Sequence, residues 1–129
     1  MFAVTPHTTI HCPGASPVHA TALAELARMF GVLAWTDVSR ETSAALTAGT
    51  IHLAVAGDSP AVDALIRQGV IALAGTPGSD AFAVLERAGA LILAAASPRG
   101  LLQAVFELED FLVCEPRSTE PISLRRAFA

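Results

Sequence analysis

The sequence predicts an α/β domain (an α+β sandwich): a four- to five-stranded mixed sheet with helices packed mainly on one face, ending in a β-hairpin and a closing helix. Three observations lead there. Ser-Pro occurs at Ser16-Pro17, Ser59-Pro60 and Ser97-Pro98, each time after an apolar run and each time opening a helical pattern. Two later apolar runs, residues 81–86 and 90–96, are separated only by Arg87-Ala88-Gly89. So short a link joins antiparallel strands, because a parallel return needs a crossover. Finally, a chain of 129 residues that is 53% hydrophobic can bury roughly two-thirds of its unfolded surface around one core.

The elements follow in order. Residues 8–12 form the first strand, and Ser16 caps a helix whose first position, Pro17, needs no N–H. Over 17–30, Leu23, Leu26, Ala27 and Phe30 recur at helical spacing, and Gly31 ends the helix. Residues 32–36 return as a short strand, and 39–46 form a helical turn. Residues 51–56 are the next strand. Ser59 caps a helix from Pro60 to about Gln68, closed by Gly69 and followed by the apolar run 70–74. Thr76-Pro77-Gly78-Ser79 is turn chemistry. The hairpin comes next, and Ser97 then caps the closing helix with Pro98 at its first position. Residues 1–114 form a single domain and 115–129 an extended connector, since Pro116 and Pro121 break regular structure there.

Charge and cysteine usage exclude several classes. A net charge of −4, with arginines and no lysine, makes no basic field for nucleic acid. The stretch 1–24 is interrupted by prolines and histidines, and 42–57 is too short and polar to cross a bilayer, so no membrane partner is expected. No Lys or Arg precedes Arg28, so the charged start of a secretory signal is missing and a cytoplasmic location is expected. Cys12 and Cys114 each stand alone, which suits buried free thiols.

The candidate site residues lie on the closing helix. Gly100 costs about 1 kcal/mol of helix propensity, and Arg99 sets a positive charge at the positive end of the helix dipole. Two such penalties side by side imply close backbone approach at Gly100 and a definite partner for Arg99, whether another domain or a carboxylate or carbonyl of this one. At 100° per residue Arg99, Gln103, Phe106 and Asp110 make one stripe beside the apolar arc of Leu101, Leu102, Val105, Leu108 and Leu112. That stripe suits a domain interface rather than a catalytic centre. Glu109 falls inside the arc, either as a carboxylate with a raised pKa or as a rim residue.

Other chemistry-bearing residues have ordinary explanations. His7 and His11 stand four apart on a predicted strand, about 13 Å, and neither they nor Cys12, His19 and His52 have a carboxylate at ligand spacing, so no metal is expected. Ser16, Ser59 and Ser97 would be nucleophiles only beside a positioned base, and each is explained as a cap. Asp37, Asp58, Asp63 and Asp80 suit loops and helix starts. No glycine pattern makes a phosphate loop, so no cofactor is expected. With Trp35 as its one Trp and no Tyr, the chain offers little aromatic platform for binding sugar by itself.

Residues 97–110 read Ser-Pro-Arg-Gly-Leu-Leu-Gln-Ala-Val-Phe-Glu-Leu-Glu-Asp directly after the last strand. This resembles the strand, S/D-P-R-G-x-L-Y-A-V-Y-x-x-L-E element that closes the small N-terminal domain of β-N-acetylhexosaminidases and α-glucuronidases. Pro98, Arg99, Gly100, Leu102, Ala104 and Val105 match as they stand, and Phe106 replaces one aromatic by another. Gln103 stands where the family prefers Tyr, and Glu109-Asp110 where it prefers Leu-Glu. The resemblance implies a non-catalytic accessory domain, with Arg99, Gly100, Gln103, Phe106 and Asp110 toward a (β/α)8 catalytic barrel as partner. It also implies that residues 115–129 lead toward that barrel. In such enzymes a barrel carboxylate protonates the glycosidic oxygen, so no catalytic residue and no hydrolysis are expected of this chain. The alternative is a self-contained module binding an anion or phosphate where the three Ser-Pro helix starts converge. They converge if the three preceding strands are mutually parallel, and an antiparallel last strand would separate them.

Overall fold

The computed structural model describes residues 8–29, 38–40, 46–73 and 81–114, with side chains as far as Glu109. Its elements are β1 (Ile10–His11), α1 (Pro17–Met29), β2 (Val38–Ser39), β3 (Ile51–Val55), α2 (Pro60–Arg67), β4 (Phe82–Arg87), β5 (Ala90–Ala95) and α3 (Pro98–Cys114). They build one five-stranded sheet in the order β2-β1-β3-β5-β4. β2, β1, β3 and β5 run parallel, and β4 joins the edge antiparallel to β5. This is the mixed sheet that the strand–helix repeats and the hairpin predict.

Position in the sheet explains composition. β3 and β5 lie inside it with every residue buried, so Ile51–Val55 and Ala90–Ala95 are nearly unbroken apolar runs. The edge strand β4 is mostly half-buried and carries Glu86 and Arg87. Arg87 pairs with Ala90, leaving Ala88-Gly89 as a two-residue turn with φ of 53° and 77°. Both central residues at positive φ make the type I′ hairpin whose twist matches that of the strands.

Alternation along β3 and β5 sorts the helices. Ile51, Leu53, Val55, Leu91, Leu93 and Ala95 meet Ala22 and Leu26 of α1 and Leu101, Ala104, Val105 and Leu108 of α3. Ala54, Ile92 and Ala94 point the other way, to Val62 and Leu65 of α2 and to Ile71. Two helices therefore share one face and α2 covers part of the other. The apolar run after α2 folds under its end rather than forming a strand over 70–73. Gly69 turns at φ 75°, and the Val70 and Ile71 amides donate to the Leu65 carbonyl.

The other differences from expectation are local. Ser39 belongs to β2, and the rest of the expected helical turn at 39–46 falls mostly outside the described residues. The expected strand at 32–36, the turn at 76–79, His7, Asp37, Asp80 and the connector 115–129 also lie outside them.

Candidate functional site

α3 starts as its sequence requires. The Ser97 hydroxyl accepts the Gly100 N–H at 3.2 Å, and the Ser97 carbonyl accepts the Leu101 N–H at 3.1 Å. Gly100 is buried, so it belongs to the packed side of the first turn and not to the outward stripe. Arg99 and Gln103 are exposed, and Phe106 is the exposed large hydrophobic among the described residues, at 39%. Steps of four and three residues put these side chains on one helical row. The side chains of Asp110 and Cys114 lie outside the described set.

Glu109 is a rim residue. It is partly exposed and takes the Arg28 guanidinium of α1 at 2.6 Å, while Arg28 also reaches Glu25 at 2.9 Å. Glu109 foremost, and then Glu25, hold the Arg28 pKa above its ordinary value. Solvent screens this pair, so it orients α1 against α3 more than it stabilises them.

A second polar group lies where three strands end. β1, β3 and β5 are neighbours and mutually parallel, so Ser16, Ser59 and Ser97 come to one edge of the sheet. The geometric condition for converging helix starts is met. The amides there are nevertheless engaged. Ser59 Oγ accepts from Val62 at 3.5 Å, Asp63 Oδ1 from Gly57 at 2.9 Å, and Asp58 Oδ2 from Val55 at 3.0 Å. Arg40 donates to the carbonyls of Cys12 and Gly14 at 2.9 and 2.8 Å. The chain's own carboxylates thus stand where an anion would dock, and α2 departs on the opposite face from α1 and α3.

At this edge His19, 4% exposed, bridges the first two strand–helix units. Its Nδ1 lies 2.6 Å from Ser16 Oγ and its Nε2 2.9 Å from Asp58 Oδ2. The carboxylate can only accept, so Nε2 carries a proton, and in the neutral ring Nδ1 accepts from the Ser16 hydroxyl. Ser16 Oγ also takes the His19 N–H at 3.3 Å as an N-cap. Sequence reasoning missed this triad because Asp58 is 39 residues from His19. The one local signal is Ser-x-x-His at a helix start, the spacing of a capping box.

The remaining candidates are inert or structural. Cys12 is free and buried, and burial pushes its thiol up to about 11 against the opposing pull of Arg40. It stays protonated at neutral pH. His11 and His52 stack with ring centroids 4.6 Å apart. Burial first, and His11 second, lower the His52 pKa to about 4. Thr50 Oγ1 lies 3.2 Å from His52 Nε2, whereas His11 Nδ1 is buried without a hydrogen-bond partner. Among the described residues no three His, Cys, Asp or Glu side chains could hold a metal ion. No helix among them is long and apolar enough to cross a membrane. No family model and no curated protein matches the chain.

Proposed function

We propose that this chain is the non-catalytic N-terminal domain of a glycoside hydrolase and packs against a (β/α)8 catalytic domain through α3. The observation that carries the reading is the outward row Arg99, Gln103 and Phe106 on a helix whose opposite side is buried. A cation, an amide and an aromatic in one row are what an interface anchor offers, with Phe106 as its apolar member. The resembled element has the same order: strand, Ser or Asp, then Pro-Arg-Gly at the start of a helix. In this reading the domain steadies the rim of the catalytic centre, and the carboxylates that cleave the glycosidic bond belong to the barrel.

Three parallel strands ending together favour a second reading, an anion-binding module. Asp58 and Asp63 on the edge amides weigh against it, because a bound phosphate would face two carboxylates.

The test has two arms. The reading frame beyond codon 129 is expected to continue with alternating strand and helix patterns and a carboxylate pair. The purified 129-residue protein is expected to leave chromogenic N-acetylglucosaminides and glucuronides intact. An unrelated continuation, or turnover by the 129-residue protein, would overturn the proposal. Thermal stabilisation by inorganic phosphate would favour the second reading, since saturation to about 100 times Kd adds roughly 2.7 kcal/mol.

A further inference from the structure

We propose that Ser16, His19 and Asp58 form a reactive-serine site of the acyl-transfer type, taking the acyl group of an activated ester. The inference is independent of the docking reading, in which non-catalytic refers to glycoside cleavage alone, because it rests on the strand edge and not on the outward row of α3.

The components and their order are those of an activated nucleophile. Ser16 Oγ is 2.6 Å from His19 Nδ1, within reach for proton transfer. Asp58 Oδ2 holds the other ring nitrogen at 2.9 Å and is itself oriented by the Val55 N–H at 3.0 Å. The arrangement leaves Nδ1 as the basic nitrogen and sets a carboxylate to stabilise the imidazolium that forms. The ring is also fixed from behind, since a Cβ on Gly14 would lie 2.1 Å from Nε2. Burial differs between the two: His19 is enclosed, while Ser16 is partly exposed. Ser16 caps α1, whose first-turn amides favour negative charge at the hydroxyl.

The step balances without a co-reactant other than water. Ser16 Oγ forms a bond to the ester carbonyl carbon as its proton moves to His19 Nδ1. The tetrahedral adduct collapses, the ester C–O bond breaks, and the alcohol leaves with the proton that His19 returns. Water then attacks the acyl-serine, giving its proton to Nδ1; the acyl C–O bond to Ser16 breaks, His19 returns that proton to Ser16 Oγ, and the carboxylic acid leaves.

The experiment treats the 129-residue protein with a fluorophosphonate and with p-nitrophenyl acetate, and locates adducts by peptide mass spectrometry. One adduct on Ser16 is expected, absent from Ser16→Ala. His19→Gln can keep hydrogen bonds to Ser16 and Asp58 but cannot take the proton. It is expected to stay folded by circular dichroism and to label about a hundredfold more slowly, the usual contribution of a general base. Ser16 labelling no faster than in the urea-unfolded chain, or unchanged in a folded His19→Gln protein, would overturn the proposal. Adducts spread over other serines would do the same.

Discussion

Substituting Gly14 by Ala places a methyl carbon 2.1 Å from His19 Nε2 and 2.5 Å from ring atoms Cδ2 and Cε1. The ring cannot simply step aside, because Ser16 holds one nitrogen and Asp58 the other. If it swings out, two side-chain hydrogen bonds break, at about 1 kcal/mol each. If the loop moves instead, strand β1 and the start of α1 are displaced, an overpacking cost of about 1–3 kcal/mol. The two routes bracket a loss of about 1–3 kcal/mol, or roughly 5–15 °C in Tm for a domain of this size. Urea unfolding followed by circular dichroism measures it. The decisive comparison is the same substitution in a His19→Ala background, where the methyl meets no ring and should cost about 0.5 kcal/mol or less. A Gly14→Ala protein as stable as wild type, or an undiminished cost without the imidazole, would refute the reasoning.

Two further outcomes follow from the same structure. The folded state holds the His52 pKa near 4, below its ordinary 6.5, so the neutral ring's contribution is present above pH 6.5 and fades as the pH falls toward 4. Between pH 7 and pH 5 stability should drop by about 2 kcal/mol, and His52→Gln should flatten that part of a urea-midpoint profile. Gly100→Leu should destabilise by about 1–3 kcal/mol, because the first turn of α3 is buried there, whereas Gln103→Ala on the exposed row should be nearly neutral in thermal melts.

Local chemistry made most of the elements legible. Ser-Pro caps fix helix starts within a residue or two of sequence, so Pro17, Pro60 and Pro98 open α1, α2 and α3 as read. The hairpin was legible because Ala88-Gly89 carries its turn geometry in two residues. Sheet order and the face taken by α2 were not, because both depend on which strands meet across long separations. On α3, helical periodicity alone separated exposed Arg99, Gln103 and Phe106 from buried Leu101, Val105 and Leu108. Gly100, singled out by its propensity cost, is buried. The partner of Glu109 was hidden, since Arg28 lies 81 residues away on another helix. His19 and Asp58 escaped for the same reason: each looks like an ordinary helix-start residue until parallel pairing of β1 and β3 brings their loops together.

The central claim, that α3 docks a catalytic domain, is tested most directly by titrating the 129-residue protein against the separately produced segment encoded after codon 129. Isothermal titration calorimetry should give saturable binding. Phe106→Asp, on an exposed position, should abolish that binding while leaving the far-ultraviolet dichroism and melting temperature of the domain unchanged. Absence of binding by the wild-type domain, or binding that Phe106→Asp leaves intact, would contradict the account.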